Sequence, residues 1–348
     1  MIATIKKARI NKKLKLKDVA QFLNVDSSLV SKFESGTRKP TREQVMKLSH
    51  LLELDAHDLL VKWLSEELVE QIGYGSFALE VLSAAEEKVK YYKKNELQTN
   101  EDLIKILEQI DILKDKLNQY RNLDSYKITE ALELEYTFES NRIEGNTLTL
   151  KETDLVVNEG ITISGKSMRE HLEAINHKEA IVYLKELILK DSEFSERDLL
   201  LLNSLILKGI EPKYAGVYRD VQVMISGSKH LPPQPFIIKK QMEDLFFWYE
   251  ANKNYLHPVI LAAELSERLV TIHPFLDGNG RTSRLIMNLI LLKKGYVIAN
   301  IKGDSENRMK YYQSLENAQV ESKKEEFHLF IASEELIAIE RYCSILGI

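Results

Sequence analysis

Apolar positions along the chain recur mostly at intervals of three and four, which is the period of helices and not of strands. Leu103, Ile106, Leu107 and Ile110 follow that spacing, as do Leu285, Leu289 and Leu292. One stretch departs from it. Between Gly216 and Pro235, Val221, Val223 and Ile225 alternate with polar residues and run into Ser226-Gly227-Ser228, which predicts a small β-hairpin over about 219–233. Turn formers are scarce, with 14 Gly and 7 Pro in 348 residues. The fold class expected is mainly α.

Residues 1–65 parse into about five short helices. The first covers Ile2–Lys12, and the second Lys17–Leu23 with Val19, Ala20 and Leu23 facing inward. A turn at Asn24-Val25-Asp26 leads to a third helix, Ser27–Glu34, capped by Asp26 or Ser27 and stopped at Gly36. Pro40 and Thr41 open a fourth, with Val45, Leu48 and Leu52 inward. Residues 66–125 read as a charged helical connector with a break at Gly73-Tyr74-Gly75, and 126–348 as a larger helical domain.

Charge sharpens this division. The net charge is −5, yet residues 1–65 hold 13 Lys/Arg against 7 Asp/Glu, while the remainder holds 35 against 46. A basic head in front of an acidic body suggests an anionic partner for the head alone. Length implies two or three domains. With 44% hydrophobic and 29% charged residues, disordered and fibrous classes are excluded. Cys343 is the one cysteine, so an intramolecular disulfide and a multi-cysteine zinc site are excluded too. No apolar run reaches the ~18 residues needed to span a bilayer. Met1–Leu16 lacks the apolar stretch of a secretory signal, so a cytoplasmic setting without membrane contact is expected.

Two short helices joined by a tight turn can lay the second in the major groove of DNA. Here the second carries Ser27, Ser28, Ser31 and Lys32, and Arg38 follows. Hydroxyls of that kind reach base edges and phosphates, and the cations supply counterion release. Leu-x-x-Val-Ala at 16–20 and Val-Ser-Lys-Phe-Glu-Ser-Gly-x-x-x-Pro at 30–40 resemble the lambda-repressor/Cro-like (XRE) helix-turn-helix family, although Leu16 stands where that family often has Gln. A small bundle used for docking or dimerisation is the other reading of the same residues.

The densest chemistry lies in His273-Pro274-Phe275-Leu276-Asp277-Gly278-Asn279-Gly280-Arg281-Thr282-Ser283-Arg284, followed by an apolar run that stops at Gly295. Pro274 disfavours helix at His273, so a helix of about Val259–Thr271 ends before it. Gly278 and Gly280 around Asn279 open the next helix with free N–H groups, an anion site. Arg281 and Arg284 share one face three residues apart and can both fork onto phosphate oxygens. Cations are disfavoured at a helix N-terminus unless an anion sits there. Asp277 suits Mg²⁺, which takes one or two carboxylates plus substrate phosphates. His273 is the neutral-pH proton acceptor of the loop. Together these residues predict attack of a hydroxyl on a Mg-bound polyphosphate.

This segment resembles the signature of the Fic family, His-x-Phe-x-Asp/Glu-Gly-Asn-Gly-Arg-x-x-Arg, at every fixed position. The resemblance implies a helical domain with a β-hairpin flap and transfer of AMP from ATP to a Ser, Thr or Tyr hydroxyl of a protein. It implies His273 as the base and Asp277 as the Mg²⁺ ligand. The Gly278–Gly280 amides with Asn279 would hold the α- and β-phosphates, Arg281 the β-phosphate and Arg284 the γ-phosphate, with Phe275 a core anchor. The related Doc kinases carry Lys at the position of Gly280, so Gly280 favours AMP transfer. The flap would place Ile225, Ser226 and Gly227 over the nucleotide and pin a target by strand pairing. Tyr311 would pack near adenine, and Gln319 stands where relatives have an asparagine.

Upstream, Ser140-Asn141-Arg142-Ile143-Glu144-Gly145 closes a helical pattern of about 131–145 and resembles the Ser/Thr-x-x-x-Glu-Gly/Asn inhibitory motif of Fic proteins. A Glu144 facing Arg284 would take the fork meant for the γ-phosphate. In similar proteins the same glutamate activates water to remove AMP. The remaining histidines read as structural, except His230 beside the flap. The resulting expectation is an autoinhibited protein adenylyltransferase using ATP and Mg²⁺, acting on a target protein or on itself, with a DNA-binding head. The alternative is a transcriptional regulator whose Fic-like domain senses nucleotide or mediates homodimerisation.

Overall fold

The structure, a computed structural model, describes residues 2–75, 77–86, 101–121, 126–190 and 193–348. Residues 76, 87–100 and 122–125 of the expected connector lie outside it. The chain divides into two compact units, 1–98 and 99–348.

In the first unit, α1 (Ile2–Asn11), α2 (Leu16–Leu23), α3 (Ser27–Ser35), α4 (Arg42–Leu52) and α5 (Ala56–Ile72) enclose one core. Val19, Ala20 and Leu23 of α2 meet Val30 and Phe33 of α3, over Val45, Leu48 and Leu52 of α4 and Trp63 of α5. Local chemistry sets the boundaries. Asn24 turns left-handed at φ 54°, Asp26 accepts the Ser28 N–H at 2.7 Å, and Gly36 ends α3 at φ 75°. Thr41 and Gln44 form a reciprocal capping box at the start of α4. Arg9 forks onto Glu34 at 2.5 and 2.9 Å, tying α1 to α3.

The second unit comprises α6 (Glu101–Gln119), α7 (Tyr126–Ile143), α8 (Leu150–Glu159), α9 (Met168–Leu189), α10 (Glu196–Ile206), α11 (Pro235–Asn252), α12 (Pro258–Ile272), α13 (Asn279–Lys293), α14 (Ser305–Val320) and α15 (Lys324–Leu346). α12 and α13 pack on each other at the centre, and α13 is buried all round from Arg281 to Leu291. A helix buried on every side lies inside its domain, so the polar residues it carries, Arg281, Arg284 and Asn288 among them, need internal partners. α9 and α10 cover one side of α13, while α11 and α15 cover α12. α6 lays Leu103, Ile110 and Leu117 against α15 and its neighbours.

The expected hairpin is absent: no strand occurs among the described residues, and 219–233 is an irregular loop around one turn, Ser228 N–H to Ile225 carbonyl at 3.2 Å. Pro232 and Pro233 have no N–H to offer a ladder. Side chains hold the ends instead. Arg219, 3% exposed, donates to the Val221 and Pro233 carbonyls at 2.9 and 2.7 Å, and Gln222 donates to Pro232 at 2.8 Å. Among the described residues no helix is long and apolar enough to cross a membrane.

Candidate active site

α12 stops at Ile272, and His273 turns left-handed at φ 49°. The proline behind it forbids a further helical turn. His273 is held at its main chain. Its N–H reaches the Leu269 carbonyl at 2.9 Å, and its own carbonyl accepts from Arg219 Nε at 2.8 Å. Burial lowers the imidazole pKa to about 4, with Arg219 pushing the same way and Glu144 opposing. The ring is therefore neutral and proton-accepting at pH 7.

Between His273 and α13 the loop is shaped from within. Phe275 is fully buried against Tyr218, with ring centroids 5.7 Å apart. The Asn279 amide spans the loop, accepting the Phe275 N–H at 3.0 Å and donating to the Phe275 carbonyl at 2.9 Å. The Asn279 side chain is thus engaged in shaping the loop, and what faces outward is the backbone. Asn203 of α10 donates to the Asp277 carbonyl at 3.1 Å and accepts the Gly216 N–H at 3.0 Å. Gly278 caps α13 at φ 78°, leaving the first N–H groups of the helix without intrahelical partners.

The two arginines are almost fully buried, at 3% for Arg281 and 1% for Arg284. Arg281 lies 3.3 Å from Asp277 Oδ1 and 3.3 Å from Glu173 Oε1. Arg284 turns to α7: Nε donates to Ser140 Oγ at 3.1 Å, and Nη2 to the Ser140 carbonyl at 2.9 Å and to Glu144 Oε1 at 2.7 Å. Burial works against the charge of Arg284, but Glu144 together with Tyr311 and Tyr136 supports it, and the net shift is upward. Glu144 follows the last residue of α7, and Gly145 at φ 98° makes the turn out of the helix. Tyr312 fastens that end by donating to the Ile143 carbonyl at 3.0 Å. A Cβ at Gly280 would collide with Glu144 Oε1 and lie 3.1 Å from Arg284 Nη1. The carboxylate therefore rests directly on the loop.

The structure thus brings together His273, Asp277, Gly278, Asn279, Gly280, Arg281, Arg284, Ser140 and Glu144. Tyr311 is 2% exposed and packs between Tyr312, Phe327 and Phe330. Gln319 lines a cavity of about 370 Å³ with Thr271 and Ile272. Ile225 is half-buried, with Ser226 and Gly227 exposed at the tip of the flap loop. His230 Nε2 sits 2.8 Å from the Thr271 carbonyl and ties that loop to α12. Ser28, Ser31, Lys32 and Arg38 are exposed and Ser27 half-buried, all in the first unit.

Three contributors were invisible as a pattern: Arg169, Glu173 and Arg219. Arg169 had one local signal. It lies in the first turn of a helix capped by Ser167 and Glu170, where a cation is disfavoured without an acidic partner. That partner is Asp277, whose Oδ2 lies 2.5 Å from Arg169 Nη2. Asp277 is the carboxylate of the loop and is one-third exposed. No group of three or more His, Cys, Asp or Glu that could hold a metal occurs among the described residues. A cation here would therefore draw its other ligands from phosphate and water, which is how Mg²⁺ binds at polyphosphate sites.

The Fic/DOC family model matches residues 193–291, and a helix-turn-helix model matches residues 5–59. A protein adenylyltransferase Fic of Nematostella vectensis is 36% identical over 217 residues, 61% of this chain and 50% of that protein. Its namesake in Drosophila grimshawi is 37% identical over 185 residues, 53% of this chain and 38% of that protein. The chain thus spans half or less of the length of these curated relatives. Among solved structures, a Fic family protein from Desulfovibrio desulfuricans G20 aligns with a TM-score of 0.61 at 25% identity, over 70% of this chain and 74% of that one. Fic-1 from C. elegans, residues 134–508, shares the fold with a TM-score of 0.63 at 24% identity, over 99% and 98%. Sequence and fold agree with the loop geometry: the chain carries a Fic/DOC family domain over residues 193–291 and, ahead of it in sequence, a helix-turn-helix domain over residues 5–59.

Proposed function

We propose that the chain is a protein adenylyltransferase held in check by its own Glu144, with ATP and Mg²⁺ as reactants and a Ser, Thr or Tyr hydroxyl of a protein as acceptor. The observation that carries this reading is the 2.7 Å ion pair between Glu144 and Arg284, set into a loop that also holds a neutral, buried His273. His273 takes the proton of the acceptor hydroxyl as its oxygen attacks the α-phosphorus. The bond to the bridging oxygen breaks, and pyrophosphate departs. Arg281, Arg284 and the free N–H groups opening α13 neutralise the departing charge. Asp277 would hold Mg²⁺, which would supply further charge neutralisation.

With Glu144 on Arg284, the γ-phosphate loses its fork and the α-phosphate is not aligned for in-line attack. Release of Glu144 restores the fork. Removal of AMP from a modified protein would use the same carboxylate to activate water.

For the first unit we propose duplex DNA as partner. Exposed Ser28 and Ser31 would reach base edges and phosphates, with Lys32 and Arg38 supplying charge. The whole reading is tested by incubating the full chain with ATP labelled at the α- or γ-phosphate. Protein-bound α-label is expected. Label from the γ-position alone would establish a kinase, and no label on wild type or Glu144→Gly would favour a nucleotide-sensing regulator.

A further inference from the structure

Glu144 is not the one side chain that fills a ligand's place in this site. Arg169 stands at the second position of α9 with its side chain half exposed, and reaches Asp277 Oδ2 at 2.5 Å. Its Nε lies 3.2 Å from Glu173 Oε1, one turn further along the same helix. Glu173 in turn faces Arg281 at 3.3 Å and accepts from Asn146 Nδ2 at 2.9 Å. The other oxygen of Asp277 faces inward, taking the Gly278 N–H at 2.5 Å and lying 3.3 Å from Arg281. So one oxygen of Asp277 is engaged within the loop, and the other is occupied by Arg169.

We propose that Arg169 is a positioning residue that stands in for the divalent cation, neutralising Asp277 until metal and nucleotide arrive and then giving way to them. The inference rests on the assignment of Asp277 as the metal ligand made above. Charge accounting supports it. Arg284 is matched by an acid where phosphate oxygens would come, and Asp277 is matched by a guanidinium where the cation would come. A half-exposed ion pair adds little net stability, so it can open for a competitor. A divalent ion offers Asp277 twice the charge at short range, so metal and guanidinium exclude each other there. Arg169 thereby keeps Asp277 pre-aimed while raising the metal concentration that the site requires.

The test is binding, not turnover. Calorimetry on the full chain measures the dissociation constant of ADP with and without Mn²⁺ for wild type, Arg169→Ala, Arg169→Lys and Asp277→Ala. Arg169→Ala is expected to bind ADP·Mn²⁺ three- to tenfold more tightly, while metal-free ADP binding stays within twofold. Arg169→Lys keeps the charge and should stay near wild type, which a merely structural role would not predict. Weaker ADP·Mn²⁺ binding by Arg169→Ala would make Arg169 a nucleotide contact and overturn the proposal, as would unchanged binding. If Asp277→Ala retains the full effect of Mn²⁺, Asp277 is no metal ligand and the parent reading falls as well. Loss of that effect in Asp277→Ala alongside unchanged Arg169→Ala would sink the Arg169 proposal alone.

Discussion

Glu144 Oε1 rests over the Cα of Gly280, close enough that a methyl group there would collide with it. The bareness of position 280 therefore does two things. It exposes backbone N–H groups to an anion, and it lets the carboxylate descend onto Arg284. The 273–284 segment and the end of α7 meet at one glycine.

Replacing Glu144 by Gly should raise AMP transfer by about 100-fold or more, the order seen for single electrostatic contacts in active sites. It should also lower stability. Arg284 would keep Ser140 but lose its carboxylate, at a cost of about 1–3 kcal/mol, below the full penalty for a broken buried pair because Glu144 is partly exposed. Incorporation of α-label and thermal melts check both. Equal rates in the two proteins would remove the brake from the account.

His273→Ala should abolish transfer and leave ATP binding within a few-fold of wild type. With the free-enzyme pKa lowered to about 4, the base stays deprotonated from pH 8 to about 5, and kcat/KM should fall only below that. The stability linkage has the same sense. The unfolded histidine takes its proton near pH 6.5, the folded one near 4, so this group withdraws stability as pH falls between them. An activity limb centred near 6.5 would contradict the buried environment.

Gly303 allows the proposed brake to be tested from a distance. A Cβ there would come within 2.8 Å of Arg142 Cβ and 2.9 Å of the Ile143 N, beside the last turn of α7. Gly303→Ala should cost about 1–3 kcal/mol by overcrowding. It should also push the end of α7 off its seat and raise AMP transfer over wild type. A melt that drops with no gain in transfer would show that the segment carries stability without governing Glu144.

In the first unit, Lys32→Ala and Arg38→Ala should each weaken duplex binding across sequences and reduce the salt slope by about 1. Both side chains are exposed, so melts should not change. An unchanged salt slope would place the DNA contact elsewhere.

The sequence exposes what is contiguous. Residues 273–284 are twelve neighbours whose chemistry can be read off in order, and capping signals such as Asp26 and Gly36 depend on neighbours alone. Arg169, Glu173 and Arg219 reach the loop from other elements; a cation in the first turn of α9 hints that Arg169 has an acidic partner, but nothing local names Asp277, 108 residues away. The hairpin failed for the opposite reason. Val221, Val223 and Ile225 carry strand alternation, yet the chain they would pair with contains two prolines. Alternation reports which way side chains could point; whether a ladder forms depends on donors in the partner.

Arg219 grips the carbonyls of His273, Val221 and Pro233 with one guanidinium. In the proposed reaction, a peptide that drew the flap loop toward itself would therefore tug on the backbone of the residue assigned to receive its proton. Choosing an acceptor and readying the chemistry would in this way be fastened to a single rivet.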